Sequence, residues 1–180
     1  MNLLVVVGSV SNKSNNKKVA NYIMNQYKDQ YNFSTIDLLN VPIYNEDIET
    51  NPPAEVKEFI TKIKEADGVI IVTPEYNHSI PGVLKNWLDW ASRSGGVLTK
   101  KPVMIMGASS GNFGTIRAQM HLKQILASPG VKADLFTGKE IYIMTVQNLF
   151  DENNVLTDEK TAGRLEKAIT AFAEYIESKK

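Results

Sequence analysis

The chain contains no cysteine. Disulfides, thiolate metal sites and cysteine nucleophiles are therefore excluded. Histidine is scarce as well, with only His78 and His121. Glu75 and His78 have the spacing of half a di-iron motif, but the second half is missing and two histidines are too few for such a centre. His78 reads instead as an exposed loop residue. No charge excess of either sign exists, since 20 basic residues oppose 20 acidic ones and the sequence pI is about 6.7. A nucleic-acid binder would show a basic face and a high pI, so that class is disfavoured. The chain also lacks a long hydrophobic run. Met1 to Val7 has no positive leader and is far too short to span a bilayer. These absences together lead us to expect a cytoplasmic protein with neither a membrane nor a nucleic-acid partner.

What is present is a chain of 180 residues, 43% of them apolar. That length suits one domain over residues 1–180, burying roughly 70% of the unfolded chain's surface. Leu3 to Val7 is a short Val-rich run of the kind found in buried parallel strands. Asn15 to about Asp29 is expected to be helical, with Val19, Ile23 and Tyr27 repeating every four residues. Alternation marks Phe33 to Leu38 as a second strand. A loop from Asn40 to Pro53 carries three prolines and an acidic patch. A helix follows over Ala54 to Ala66, then a third strand over Gly68 to Val72. The next helix holds Val83, Leu84, Trp87 and Leu88 and ends near Arg93-Ser94-Gly95-Gly96. Of Trp87 and Trp90, one is expected in the core and the other at a subunit contact. Pro102 to Met106 reads as a fourth strand, followed by a helix with Ala118, Leu122, Ile125 and Leu126 along one stripe. Glu140 to Thr145 reads as a fifth strand. A helix over Thr157 to Lys179 closes the chain. Strands alternating with helices imply an α/β fold, a parallel sheet covered on both faces. Strand order stays open at this level.

In such sheets, ligands bind at the loops leaving the C-terminal strand ends. Three loops therefore matter. The first, Gly8 to Asn16, is dense in hydroxyls and amides and opens a helix. It reads either as a phosphate cradle of Ser9, Ser11, Ser14 and Asn16 or as an ordinary capping loop. The dinucleotide fingerprint fails, because Val10 and Lys13 stand where glycines belong. The second loop, Thr73 to Gly82, offers Pro74, Glu75, Tyr76 and Asn77. It supplies a rigid bend, a flat face and amide donors, with Ser79 as a possible cap for the helix after Pro81. Tyr76 alone reads equally as a packing residue. The third loop, Gly107 to Gly114, contains G-x-S-x-G between a strand and a helix, the nucleophile-elbow pattern. A serine hydrolase on Ser109 would need an acid and then a histidine downstream. Only His121 follows, with no Asp or Glu between. The other reading is a Gly-rich turn, with Ser109, Ser110 and Gly111 letting a backbone approach a ligand closely.

Together the loops resemble the NADPH-dependent FMN reductase family, the flavodoxin-like group that includes azoreductases and chromate or quinone reductases. Gly8 to Asn16 looks like the family pattern G-S-x-R-x-x-S-x-N, with Ser11 in place of the arginine. Lys13 offers a point charge there, without the bidentate fork. Thr73 to Trp90 matches T-P-E-Y-N-x-S-x-P-G-x-L-K-N-x-x-D-W at every specified position. Gly107 to Gln119 looks like G-x-S-x-G-x-x-G-x-x-R-A-Q. The resemblance implies a flavodoxin-like three-layer sandwich with a five-stranded parallel sheet in the order 2-1-3-4-5. It implies bound FMN held by Ser9, Ser11, Ser14, Asn15, Asn16, Pro74, Glu75, Tyr76, Asn77, Ser109, Ser110 and Gly111. NADPH or NADH would act as co-substrate, and the enzyme would be a homodimer or homotetramer. The implied activity is ping-pong transfer of reducing equivalents to a small acceptor such as an azo compound, quinone, chromate or free flavin. The cofactor would do the chemistry, so no catalytic side chain or metal is expected. The alternative is a flavodoxin-type electron carrier. Flavodoxins are usually strongly acidic, and this chain is neutral.

Overall fold

The computed structural model describes residues 1–93 and 95–180. Ser94, in the expected end of the third helix, lies outside them. The strands are β1 (Asn2–Val7), β2 (Asn32–Ile36), β3 (Gly68–Val72), β4 (Pro102–Ala108), β5 (Asp134–Leu135) and β6 (Ile141–Ile143). The helices are α1 (Asn15–Gln26), α2 (Ala54–Glu65), α3 (Gly82–Arg93), α4 (Ile116–Leu126) and α5 (Glu159–Glu177). All strands pair in parallel, in the order β2-β1-β3-β4-β5, with β6 also on β4. This is the flavodoxin-like order.

Alternation along each strand sorts the core into two layers. Leu4, Val6, Val69, Ile71, Val103 and Ile105 pack with α2, α3 and α4 on one face. Leu3, Val5, Ile70, Val72, Met104 and Met106 pack with α1 and α5 on the other. Covered on both faces, β3 and β4 are buried at every position. That is why they read as unbroken apolar runs.

Three expectations are revised. The fifth strand position is filled by two short pieces. β5 pairs with Pro102 and Val103 at the start of β4, and β6 pairs with Met106 to Ala108 at its end. The intervening chain swings out through exposed Thr137 to Glu140. The second strand stops at Ile36, because Asp37 caps a short 3-10 turn that begins at Leu38. Both tryptophans are fully buried, so neither serves a subunit contact. Trp90 donates its indole N–H to the Pro42 carbonyl at 2.8 Å, and Asn86 donates to the same oxygen at 2.9 Å. The loop after β2 lies across α3 and covers the second ring, with Tyr44 edge-on to Trp90 at 5.0 Å.

Candidate functional site

β1, β3 and β4 are adjacent in the sheet and parallel, so their C-terminal loops meet. They enclose an open cleft of about 250 Å³. It is lined by Ser9, Ser11, Ser14, Asn15, Asn16, Pro74, Glu75, Tyr76, Ser109 and Ser110, with Lys13 and Ala108. Ten of the twelve expected site residues are thereby brought together. Asn77 and Gly111 lie beside the cleft and are not in its lining.

The first loop is shaped by its own hydroxyls. Ser9 Oγ accepts the Ser11 N–H at 3.3 Å, and Ser14 Oγ caps α1 by accepting the Lys17 N–H at 3.3 Å. The N–H groups of Asn15 and Asn16 take no partner among the described residues. They are the unpaired donors that a helix start leaves, with the positive end of the helix dipole behind them.

Asn16 requires a correction. Its side chain is not part of a phosphate cradle. It donates to the Ala108 carbonyl and accepts the Ala108 N–H, both at 2.9 Å, in a site 2% exposed. The amide buckles α1 to the end of β4, and the Asn16 backbone N–H has no protein partner among the described residues.

The second loop is a tight turn. Tyr76 and Ser79 exchange backbone hydrogen bonds at 3.0 Å each way. Asn77 and His78 between them have positive φ, 51° and 63°. That geometry is the two-residue hairpin turn in which asparagine is favoured. It leaves Tyr76 52% exposed. Ser79 does not cap α3. Its Oγ lies 2.7 Å from His121 Nδ1 on α4.

Glu75 turns away from the turn toward α4. Thr115, the residue before that helix, has φ 66° and makes no side-chain cap. Glu75 caps the helix instead, from 42 residues upstream. Its Oε2 accepts the N–H of Arg117 at 3.0 Å and of Ala118 at 3.2 Å, while Oε1 pairs with Arg117 Nη1 at 3.1 Å. Burial pushes the carboxyl's pKa up. The Ala118 and Arg117 hydrogen bonds and the guanidinium charge outweigh that, and the pKa falls below the usual glutamate value. Arg117 also lies over the Phe113 ring at 4.2 Å. The two helix starts at the cleft are thus unequal. That of α4 already holds a carboxylate, and that of α1 is open.

The third loop is fastened by the end of β6 and the segment after it. Ser109 N–H donates to Ile143 at 2.9 Å, Val146 N–H to Ser109 at 3.1 Å and Thr145 N–H to Gly111 at 3.2 Å. Gly107 allows a close crossing, since a Cβ there would stand 2.0 Å from Thr115 Oγ1 and 2.3 Å from the Thr73 carbonyl. A Cβ on Gly111 would meet nothing within 4 Å. The nucleophile-elbow alternative does not form. Ser109 Oγ donates to the Gly111 carbonyl at 3.2 Å, and His121 is engaged by Ser79. No group of three or more metal-ligating side chains occurs among the described residues.

The roles of Arg117, of the Glu75 carboxylate and of Thr145 were not legible in the chain. Arg117 stood inside the third motif, but its partner lies on another loop. No local signal marks a cross-loop helix cap.

Residues 1–137 match the family model for NADPH-dependent FMN reductase. The chain belongs to the NADPH-dependent FMN reductase family. A relative in Vibrio ruber, an NADH:(hydroxy)cinnamate reductase subunit, is 38% identical over 98% of this chain and 88% of that one. The 2-hydroxy-1,4-benzoquinone reductase of a Burkholderia species is 36% identical over 100% and 98%. The solved flavoenzyme NAD(P)H:(acceptor) oxidoreductase of Paracoccus denitrificans superposes with TM-score 0.89 and 32% identity, over 98% of this chain and 97% of that one. As a member of the FMN reductase family, this protein is an oxidoreductase that uses FMN and a nicotinamide co-substrate. Its cleft fits that cofactor. The open α1 start suits a phosphate, and the loop two turn presents an exposed aromatic face.

Proposed function

We propose that the cleft seats FMN with its phosphate at the start of α1, against the Asn15 and Asn16 N–H groups and the hydroxyls of Ser9, Ser11 and Ser14. The observation that carries this is the inequality of the two helix starts: the one at α4 is neutralised by Glu75, and the one at α1 is free. Lys13, on the cleft lining, adds a point charge where the family arginine is missing. Pro74, Tyr76 and the backbone from Glu75 to Asn77 flank one side of the ring, and Ser109 to Gly111 flank the other. FMN supplies the transfer of reducing equivalents when bound. The residues' task is to orient it. Thr73, fully buried, holds the loop at its root by donating its hydroxyl to the Pro74 carbonyl at 2.9 Å. Glu75 and the Ser79–His121 contact fix both ends of the turn on α4. We assign no cleft side chain an acid or base role.

The acceptor is a small aromatic molecule of the quinone class. The support comes from relatives named as benzoquinone and hydroxycinnamate reductases and from the exposed Tyr76 at the cleft. The whole chain, 1–180, works as one domain, as a cytoplasmic homodimer or homotetramer. Exposed Phe113 and Met120, 59% and 57% accessible, are surfaces that assembly would cover.

The test is direct. Purified protein, supplied with FMN, is expected to turn yellow and to bleach when NADH or NADPH is added without oxygen. A benzoquinone should then restore the colour. Failure to bind FMN would refute the site. Binding without bleaching would leave an electron carrier.

A further inference from the structure

Among the described residues, seven non-glycine residues have positive φ, and four of them, Asn77, His78, Thr115 and Thr145, lie in or beside the loops that form the cleft. Such conformations persist where the surroundings enforce them, and they cluster at functional sites. Asn154 lies in a turn built on the Asp151 carboxylate. The remaining two are Lys100 and Lys132, with φ 58° and 49°. They are neighbours, since the Lys100 N–H donates to the Lys132 carbonyl at 2.8 Å. Each precedes a strand, β4 or β5, so the pair sits at the opposite end of the sheet from the cleft. The seven residues of β4 put about 20 Å between the two ends.

The two lysines line an open depression of about 500 Å³ together with Ala133, Asp134 and Lys179. Asp134 is already engaged, by Lys179 Nζ at 3.0 Å and by the Tyr175 hydroxyl. Lys101, next in the chain, spends its ammonium on the carbonyls that end α2. Lys100 and Lys132 enter no ion pair among the described residues. Two lysines without an ion-pair partner are therefore joined through their backbones, each in a conformation that favours glycine or asparagine, and line one depression on a protein with no net charge.

We infer that this depression is a second anion site, and that it takes a diphosphate group. The charges line a recess and do not stand on a ridge, which suits a small molecule and not a flat lipid surface. Two free ammonium groups are too few to track a nucleic-acid backbone. No arginine fork lines the recess, so recognition is by point charge and is salt-sensitive.

The experiment uses the FMN-saturated protein, so that the α1 start is filled, with pyrophosphate and ADP as probes in separate amide NMR titrations. Saturable shifts are expected at Lys100, Lys132 and Ala133, weakening several-fold when salt rises from about 50 to about 200 mM. Equal affinities would assign the site to the diphosphate alone, and tighter ADP binding would make it a nucleotide site. K100G/K132G removes both charges and suits the backbone, so Tm is expected to hold or rise while the Ala133 shift disappears. K100Q/K132Q should lose the shift too. No saturable shift, a shift kept in the glutamine pair, or shifts confined to Ser9–Asn16 would overturn the inference. So would a lower Tm in the glycine pair, which would mean that the lysine side chains serve the fold.

Discussion

Glu75 Oε1 lies 3.1 Å from Arg117 Nη1, and its other oxygen accepts two N–H groups at the start of α4. One carboxylate thus ties the second loop to the third, caps a helix whose own preceding residue cannot, and keeps that helix from competing for a phosphate.

Glu75→Gln tests this role. The amide leaves at least one α4 N–H without its charged acceptor, and a charge-assisted bond is worth about 1.5–3 kcal/mol. Denaturant unfolding should show a loss in that range. The pH dependence has a definite sign. The folded pKa lies below the ordinary glutamate value of 4.5. The carboxylate therefore stabilises the fold above that value, and the contribution is lost as pH falls through the folded pKa. Wild type should lose more stability on acidification than Glu75→Gln, and parallel curves would remove Glu75 from the account.

Asn16 is the other cross-link between loops. Asn16→Ala strands a buried N–H and a buried carbonyl on Ala108, at about 1–3 kcal/mol for each group left unsatisfied. Asn16→Asp keeps the acceptor but aims a carboxylate at the Ala108 carbonyl. It should be the worse of the two at neutral pH and should recover part of the difference in acid. Equal Tm values for the two variants across pH would contradict the two-way bond.

Much of the fold was legible because its cause is local. Covered on both faces, β1, β3 and β4 read as unbroken apolar runs, and the buried faces of the helices repeat at helical spacing. The loops were legible as motifs because each lies within one stretch of chain. What escaped depends on distant partners. Asn16 looked like a ligand residue because nothing nearby announces Ala108, 92 positions on. One of Trp87 and Trp90 looked available for a partner because nothing nearby announces the Pro42 carbonyl, on a proline-rich loop, that receives the Trp90 N–H. The split fifth strand escaped because Asp134–Leu135 has only two residues, too few to show a period.

Ser14 has two duties that substitution can separate. Its hydroxyl caps α1, and in the proposed site it also meets the phosphate. Ser14→Ala should cost about 0.5–2 kcal/mol of stability as a lost cap. It should also cost about 1.5–3 kcal/mol of FMN affinity as a lost bond to a charged group. Ser14→Asp keeps a good cap and places a negative charge at the phosphate. It should retain the flavin-free Tm and bind FMN more weakly than Ser14→Ala. An aspartate variant that binds FMN as wild type does would put the phosphate elsewhere.

Gly107, near the end of β4, and Gly111, in the loop that follows, stand four residues apart and should respond to alanine in opposite ways. At Gly107 the new methyl would sit 2.0 Å from Thr115 Oγ1 and 2.3 Å from a carbonyl of loop two. Neither neighbour can move without unseating Thr73 or the start of α4. Gly107→Ala should therefore lower Tm sharply whether or not FMN is present. At Gly111 the methyl meets no protein atom within 4 Å. Gly111→Ala should leave the flavin-free Tm within a degree or two, since an unopposed surface substitution shifts stability by only about 0.5 kcal/mol. A loss of FMN affinity in that variant, read by fluorescence titration, can then come only from the ligand's side of the loop. An unchanged dissociation constant would move the ring away from Gly111 and leave loop two as its main support.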